Sequence, residues 1–222
     1  MMMIELAIQW KDFLNPEFYI QHGGLWLFLF IVFAETGLFA GFFLPGDSLL
    51  FVAGIYSNEL AGELFLLNND VLNLVMVCVM VILSGILGNT VGYWFGAASG
   101  PYLFRREDTF FYKKKHLFTA KEFYEKHGGG AIVFARFLPI IRTFAPIIAG
   151  IVRMDKSKFT FYNIIGCIAW VFSMMFAGHY LYKFFLSQYG FDLKDRLEFI
   201  VLGIVLVTTA PVIIKLARGK SK

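Results

Sequence analysis

Charge is scarce in this chain of 222 residues: 16% of positions are Asp, Glu, Lys or Arg, while 58% are apolar. A soluble domain carries about 25% charged residues, so this chain has too little polar surface to dissolve as a monomer in water. Cysteine is scarcer still. Cys78 and Cys167 each lie inside an apolar stretch without a partner pattern or metal-ligand spacing. That excludes a disulfide scaffold and a thiolate metal centre, and leaves two packing residues. The first ten residues lack a positively charged start and a small-residue cleavage site, so no removable signal peptide is expected. There is no linker, low-complexity tract or composition shift, and residues 1–222 read as a single membrane domain. Nor is there the alternation of short strands and turns that marks a membrane β-barrel.

What is present instead is long apolar runs. Several approach about 20 residues, which at ~1.5 Å per helical residue crosses a hydrocarbon core of about 30 Å. The expected fold class is an all-α integral membrane protein. Residues 1–19 interleave Glu5, Lys11 and Asp12 with Ile4, Ile8 and Phe13, the pattern of an interfacial helix that anchors without crossing. Leu25 to Tyr56 is almost wholly apolar yet interrupted by Glu35 and by Pro45-Gly46-Asp47. A proline inside a helix removes an N–H and clashes with the preceding turn, so this stretch reads as a re-entrant hairpin. One arm runs to Leu44 and a short return arm runs from Ser48 to Tyr56. A full crossing by residues 25–44, with the amino terminus on the other side, is the competing layout.

A polar loop from Ser57 to Asp70 leads into a spanning helix over Val71 to Ala97. Residues 105–127 form a basic loop, with Arg105, Arg106, Lys113, Lys114, Lys115, Lys121 and Lys126, which the positive-inside rule places in the cytoplasm. A second apolar stretch, Ala131 to Ile151, carries Arg136 and Arg142 and is expected to break at Pro139 and Pro146. Phe159 to Tyr182 then spans outward. Residues 183–222 supply a C-terminal spanning helix, Phe199 to Leu216, and a cytoplasmic basic tail. Phe43-Leu44-Pro45 followed by Ala53-Gly54-Ile55 is echoed by Phe137-Leu138-Pro139 followed by Ala149-Gly150-Ile151. Each copy precedes a span of opposite direction, which predicts an inverted repeat of two re-entrant helical hairpins plus spanning helices.

Glu35, Asp47, Arg136 and Arg142 lie inside these apolar segments. Unpaired at the bilayer centre, each costs roughly 2.5–3.5 kcal/mol, on the order of 10 kcal/mol together, comparable to a whole folding stability. The plainest reading is two buried ion pairs locking the bundle, but such pairs are seldom more stable than apolar replacements. With two broken segments around them, a transport or ligand site is favoured. Arg136 and Arg142 straddle Pro139, and guanidinium groups suit bidentate capture of phosphate or carboxylate. Backbone N–H groups beside Pro45-Gly46 and after Pro146 are expected to add positive potential. Burial disfavours ionised Glu35 and Asp47 while a neighbouring arginine favours it, so these acids are placed to carry coupling protons, or to bind sodium. Ser84, Gly88, Gly92 and Gly96 form a small-residue face for close helix packing, with Asn89 beside it. His179, near the end of a span, reads as a structural histidine.

These residues carry a resemblance. Glu35, the Phe-Leu-Pro-Gly-Asp run at 43–47, and Phe134-Ala-Arg136-Phe-Leu-Pro139-Ile-Ile-Arg142 with Ala149-Gly150, together with Gly88, Gly92 and Tyr93, resemble the DedA family. That family is also described as SNARE-associated or VTT-domain proteins, and the resemblance covers residues 20–182. It implies a bacterial inner-membrane protein tied to the proton-motive force, with Glu35 and Asp47 as functional acids and Arg136 and Arg142 as functional arginines. Some members are thought to return undecaprenyl phosphate to the cytoplasmic leaflet, and relatives scramble phospholipids. The expected function is proton-coupled translocation of a lipid phosphate. Proton- or sodium-coupled export of a small solute, phospholipid scrambling and, more remotely, lipid phosphate hydrolysis are the alternatives. No cofactor and no nucleic-acid partner is expected, and a homo-oligomer fits this reading. Neutralising either arginine is expected to abolish transport with protein levels intact.

Overall fold

The computed structural model describes residues 16–38, 46–64, 67–105, 128–190 and 192–196, with 122, 124, 126 and 203 as single positions. The expected interfacial helix at residues 4–14, the Phe43-Leu44-Pro45 turn, most of the basic loop and the C-terminal span with its tail lie outside the described residues. The described residues are mostly helical and contain no strand: α1 (Pro16–Gly37), α2 (Gly46–Ile55), α3 (Ser57–Gly62), α4 (Asp70–Arg105), α5 (Gly130–Ala135), α6 (Pro139–Ile151), α7 (Lys156–Tyr189) and a 3-10 turn (Leu193–Arg196).

Among the described residues, α4 and α7 are the helices long and apolar enough to cross a membrane. Both exceed the expected spans, mainly at their far ends, at Arg105 and Tyr189; at their starts Asn69 Oδ1 accepts from the Val71 and Leu72 N–H groups, and Asp155 Oδ1 accepts from that of Lys158. Pro101 is accommodated within α4. The polar stretch after Tyr56 is not all loop, since it holds α3.

α1 breaks at Gly24, whose φ of 59° favours glycine. The break frees the Leu25 N–H, which donates to Glu63 Oε1 at 2.9 Å, and Glu63 occupies the space a Gly24 side chain would need. Side-chain contacts fix the direction of every helix. The end of α1 meets the start of α2 at Glu35 and Gly46, while its Leu25 meets Glu63 beyond α3, so α1 and α2–α3 run antiparallel. Ser84 donates to the Leu29 carbonyl and Gly88 lies against Phe33 and Gly37, so α1 and α4 run parallel. Cys78 meets Met175 and Asn89 meets Asn163, so α4 and α7 run antiparallel. α2 follows α7, from Asp47 beside Trp170 to Ser57 beside His179. α6 follows α4, with Gly96 against Ile147 and Gly100 against Ile151. α5 follows α7, with Gly129 against Tyr162 and Gly166 against Val133.

The two halves therefore exchange parts. α2 packs on the long helix of the second half, and α6 on that of the first. Gly54 and Gly150, the glycines of the two Ala-Gly-Ile copies, make equivalent contacts: a Cβ at Gly54 would strike the Met175 backbone, and one at Gly150 that of Tyr93. Lipid gives apolar side chains no incentive to leave it, so such backbone-level approach, with its dispersion contacts, holds membrane helices together. Pro146 corrects the expectation of a second break. α6 is continuous from Pro139 to Ile151, and the Pro146 ring packs where Gly92 leaves room on α4. Consequently the free N–H groups expected after Pro146 are absent, and the helix start lies at Pro139 instead. Trp26, Phe30, Leu83, Leu87, Trp94, Phe95 and Phe161 point outward, an apolar exterior that together with α4 and α7 fits a membrane protein.

Candidate functional site

The site forms where the end of α1, the start of α2 and the break between α5 and α6 converge on the middle of α7. α5 closes in a tightened turn: the N–H groups of Arg136, Phe137 and Leu138 donate three residues back, to Val133, Phe134 and Ala135. Leu138 is extended, as a residue before proline prefers, and Pro139 opens α6 at the position where its missing N–H costs nothing. Arg136 and Arg142 leave this break on either side and both guanidinium groups reach the Trp170 indole. The Arg142 guanidinium carbon is 4.8 Å and that of Arg136 5.8 Å from the ring centroid.

Arg142 is clamped by two acids. Its Nη2 donates to Glu35 Oε1, from the last turn of α1, and its Nη1 to Asp47 Oδ1, from the first turn of α2. Asp47 Oδ1 also accepts from the Trp170 indole N–H at 2.8 Å. Gly46 lies against this clamp, where a Cβ would fall on the Glu35 carboxylate and push it from its place on Arg142. All four charged residues are buried, Glu35 to 1% exposure and Arg136 to 5%.

The charges thus do not form two pairs. Three of them join in one triad, and Arg136 makes no ion pair among the described residues. Its Nη2 donates at 2.6 Å to Asn163 Oδ1, which accepts a second bond at 2.8 Å from Asn89 Nδ2. Among the described residues, Glu35 Oε2, Arg136 Nε, Arg142 Nε and the Ser48 hydroxyl have no hydrogen-bond partner. Such a site can bind an anion at Arg136 and can exchange the carboxylates of Arg142 for another acceptor.

Asn89, placed beside the small-residue face on sequence grounds, thus reaches the site through Asn163. Gly88 and Gly92 serve packing, against α1 and, for Gly92, also α6. Pro45 lies outside the described residues. Two contributors escaped sequence reasoning, Asn163 and Trp170. Asn163 falls on a stretch with Thr160 and Tyr162 that looks like an ordinary polar helix start, and Trp170 resembles any lipid-facing aromatic. The only available signal was that both follow Arg142 on the next helix. His179 is buried, with its Nδ1 3.2 Å from the Ser57 hydroxyl.

Replacing Trp170 by Phe keeps the ring under both arginines but removes the donor to Asp47. A bond to a charged acceptor contributes about 1.5–3 kcal/mol, so the expected result is a lower unfolding temperature in detergent with the helix content unchanged. An unchanged unfolding temperature would count against the Trp170–Asp47 bond.

A VTT domain model matches residues 44–180, a segment that holds every residue of the site except Glu35. The chain is 38% identical over 200 residues to Protein DedA of Escherichia coli strain K12, covering 89% of this chain and 85% of that one. It is similar to the inner membrane protein YqjA of the same strain, 29% identical over 184 residues, covering 80% of this chain and 75% of that one. Undecaprenyl phosphate transporter A of Bacillus subtilis is 31% identical over 102 residues, covering 44% of this chain and 52% of the transporter. No solved structure matches. With a VTT domain over more than half its length and a likeness to Protein DedA along most of it, the chain belongs to the DedA family of membrane proteins.

Proposed function

We propose that this protein is a transporter of the bacterial inner membrane that moves a lipid phosphate, such as undecaprenyl phosphate, between leaflets at the expense of the proton-motive force. The observation that carries the reading is Arg136: a buried guanidinium with no carboxylate partner among the described residues, beside an arginine already held by two acids. Phosphate is the acceptor such a group lacks. Phe134, Phe137 and Ile141, on the same segment, are exposed, so a lipid tail can stay outside while its headgroup enters. Glu35 and Asp47 hold Arg142 and take protons when phosphate replaces them. A likeness to undecaprenyl phosphate transporter A favours this cargo class.

In this reading the arm of α1 after Gly24 and α2 form a re-entrant hairpin, and α5 and α6 form its inverted counterpart, with the basic loop 105–127 in the cytoplasm. The two arms of the first hairpin are about 20 and 15 Å long at 1.5 Å per residue, too short to cross about 30 Å, and their antiparallel contacts support the hairpin. Export of a small solute would use the same acids, and competition between solute and lipid separates the two. Release of inorganic phosphate would instead mark a lipid phosphatase.

The test is movement of undecaprenyl phosphate between leaflets in proteoliposomes, with and without a pH gradient. The unaltered chain is expected to accelerate it in response to the gradient, and Arg136→Gln to reduce it to the level of empty liposomes while remaining folded. Full transport by Arg136→Gln would defeat the proposal.

A further inference from the structure

We infer that Asn163 is a positioning residue that holds Arg136 in place while withholding a counter-charge from it, and so keeps that arginine open to an anion. The inference rests on the lipid-phosphate reading and deepens it. A buried arginine is most strongly held by a carboxylate, and Arg142 has two. Arg136, against the same indole, has an amide oxygen instead.

The network fixes the orientation of that amide. Asn163 Oδ1 accepts from Arg136 Nη2 and Asn89 Nδ2, with the weak Cys167 thiol donor at 3.9 Å, so both of its lone pairs are in use, while Asn163 Nδ2 points toward the Ile86 carbonyl at 3.4 Å. Asn89 comes from α4 and Asn163 from α7, so the amide chain ties both long helices to the break that carries Arg136. Charge supplies the second half of the inference. With Glu35 and Asp47 both ionised, their triad with Arg142 carries one net negative charge, which Arg136 offsets among the described residues. An aspartate at position 163 would have almost the shape of the asparagine, would accept from both donors and would pair with Arg136. The anion would then meet a cluster of net negative charge, a juxtaposition that costs several kcal/mol.

A residue that only holds the bundle together and one that withholds charge make opposite forecasts for two variants. Asn163→Asp keeps the acceptor and adds charge, whereas Asn163→Ala removes the acceptor and adds none. The probes are dodecyl phosphate and zwitterionic dodecylphosphocholine, titrated against the purified chain in a neutral detergent. The readouts are dodecyl phosphate affinity and unfolding temperature, followed by undecaprenyl phosphate movement in proteoliposomes. The expected order is that Asn163→Asp unfolds no lower than the unaltered chain yet binds dodecyl phosphate weaker by on the order of 100-fold, while Asn163→Ala unfolds lower but stays within about tenfold in affinity. Dodecylphosphocholine affinity is expected to be alike in all three.

Binding by Asn163→Asp equal to or tighter than that of Asn163→Ala would overturn the inference. So would failure of Asn163→Asp to fold, because the position must accept a carboxylate for an amide there to matter. Preferential binding of dodecyl phosphate without any leaflet-to-leaflet movement would defeat the transporter reading and leave the role of Asn163 standing.

Discussion

Arg142→Met is expected to be lost from the membrane, and the triple variant Arg142→Met, Glu35→Gln, Asp47→Asn is expected to return without transport. Removing Arg142 leaves two buried carboxylates without their shared cation, and breaking a buried ion cluster in this way costs about 3–5 kcal/mol. Against a stability of about 5–15 kcal/mol, that is enough to lower abundance and unfolding temperature sharply. Neutralising the two acids as well removes the uncompensated charge and leaves amides that can bond each other and Trp170. Abundance in membranes and thermal unfolding in detergent measure the effect, and a single variant as stable as the unaltered chain would show that the triad does not hold the fold. The two arginines therefore differ. Loss of activity in Arg136 variants reports on function, whereas loss in Arg142 variants mixes function with folding, contrary to the sequence-level expectation that either could be neutralised at constant protein level.

Gly46→Ala carries the second large effect. Its methyl group would occupy the position of the Glu35 carboxylate, and Gly46 is itself buried, so the carboxylate must yield by shifting away from Arg142. Overpacking costs about 1–3 kcal/mol, and the lost charge-assisted bond about 1.5–3 kcal/mol more. The expected outcome is a strongly destabilised protein without transport. Glu35→Asp in the same chain withdraws the carboxylate by one methylene and is expected to recover part of the stability. An unfolding temperature unchanged by Gly46→Ala would mean that Glu35 does not lie against Gly46.

The parts of this architecture that were legible are those where sequence and solvent conflict. Glu35, Asp47, Arg136 and Arg142 stand out because a charge in an apolar run has no cheap explanation. Gly46 and Pro139 mark points where a helix cannot continue, and Ser84, Gly88, Gly92 and Gly96 mark a close approach. The partners of these residues were not legible. The small-residue face turned out to serve α1 at one end and α6 at the other, an arrangement that depends on the exchange of α2 and α6 between halves. Pro146 was misread because tolerance of a proline inside a helix depends on the neighbour, here Gly92, and not on the proline alone. Asn163 and Trp170 were invisible for a simpler reason: a single polar or aromatic residue on a membrane helix has many ordinary uses, and only its distance to an arginine distinguishes this one.

The exchange of short helices between the halves bears on how the chain is made. α2 is complete once residue 55 has left the ribosome, but the groove that Gly54 and Phe51 fit is supplied by Met175 and Gly178. More than a hundred residues must be synthesised before that seat exists, and Asp47 gains first Arg142 and then Trp170 only as the second half of the chain is made. α2 therefore reaches its seat only after α7 has been made, and its final placement belongs to the last steps of biogenesis. A nascent chain released before α6 emerges would leave the Asp47 carboxylate with neither its cation nor its indole donor, a chemical difference between unfinished copies and finished ones.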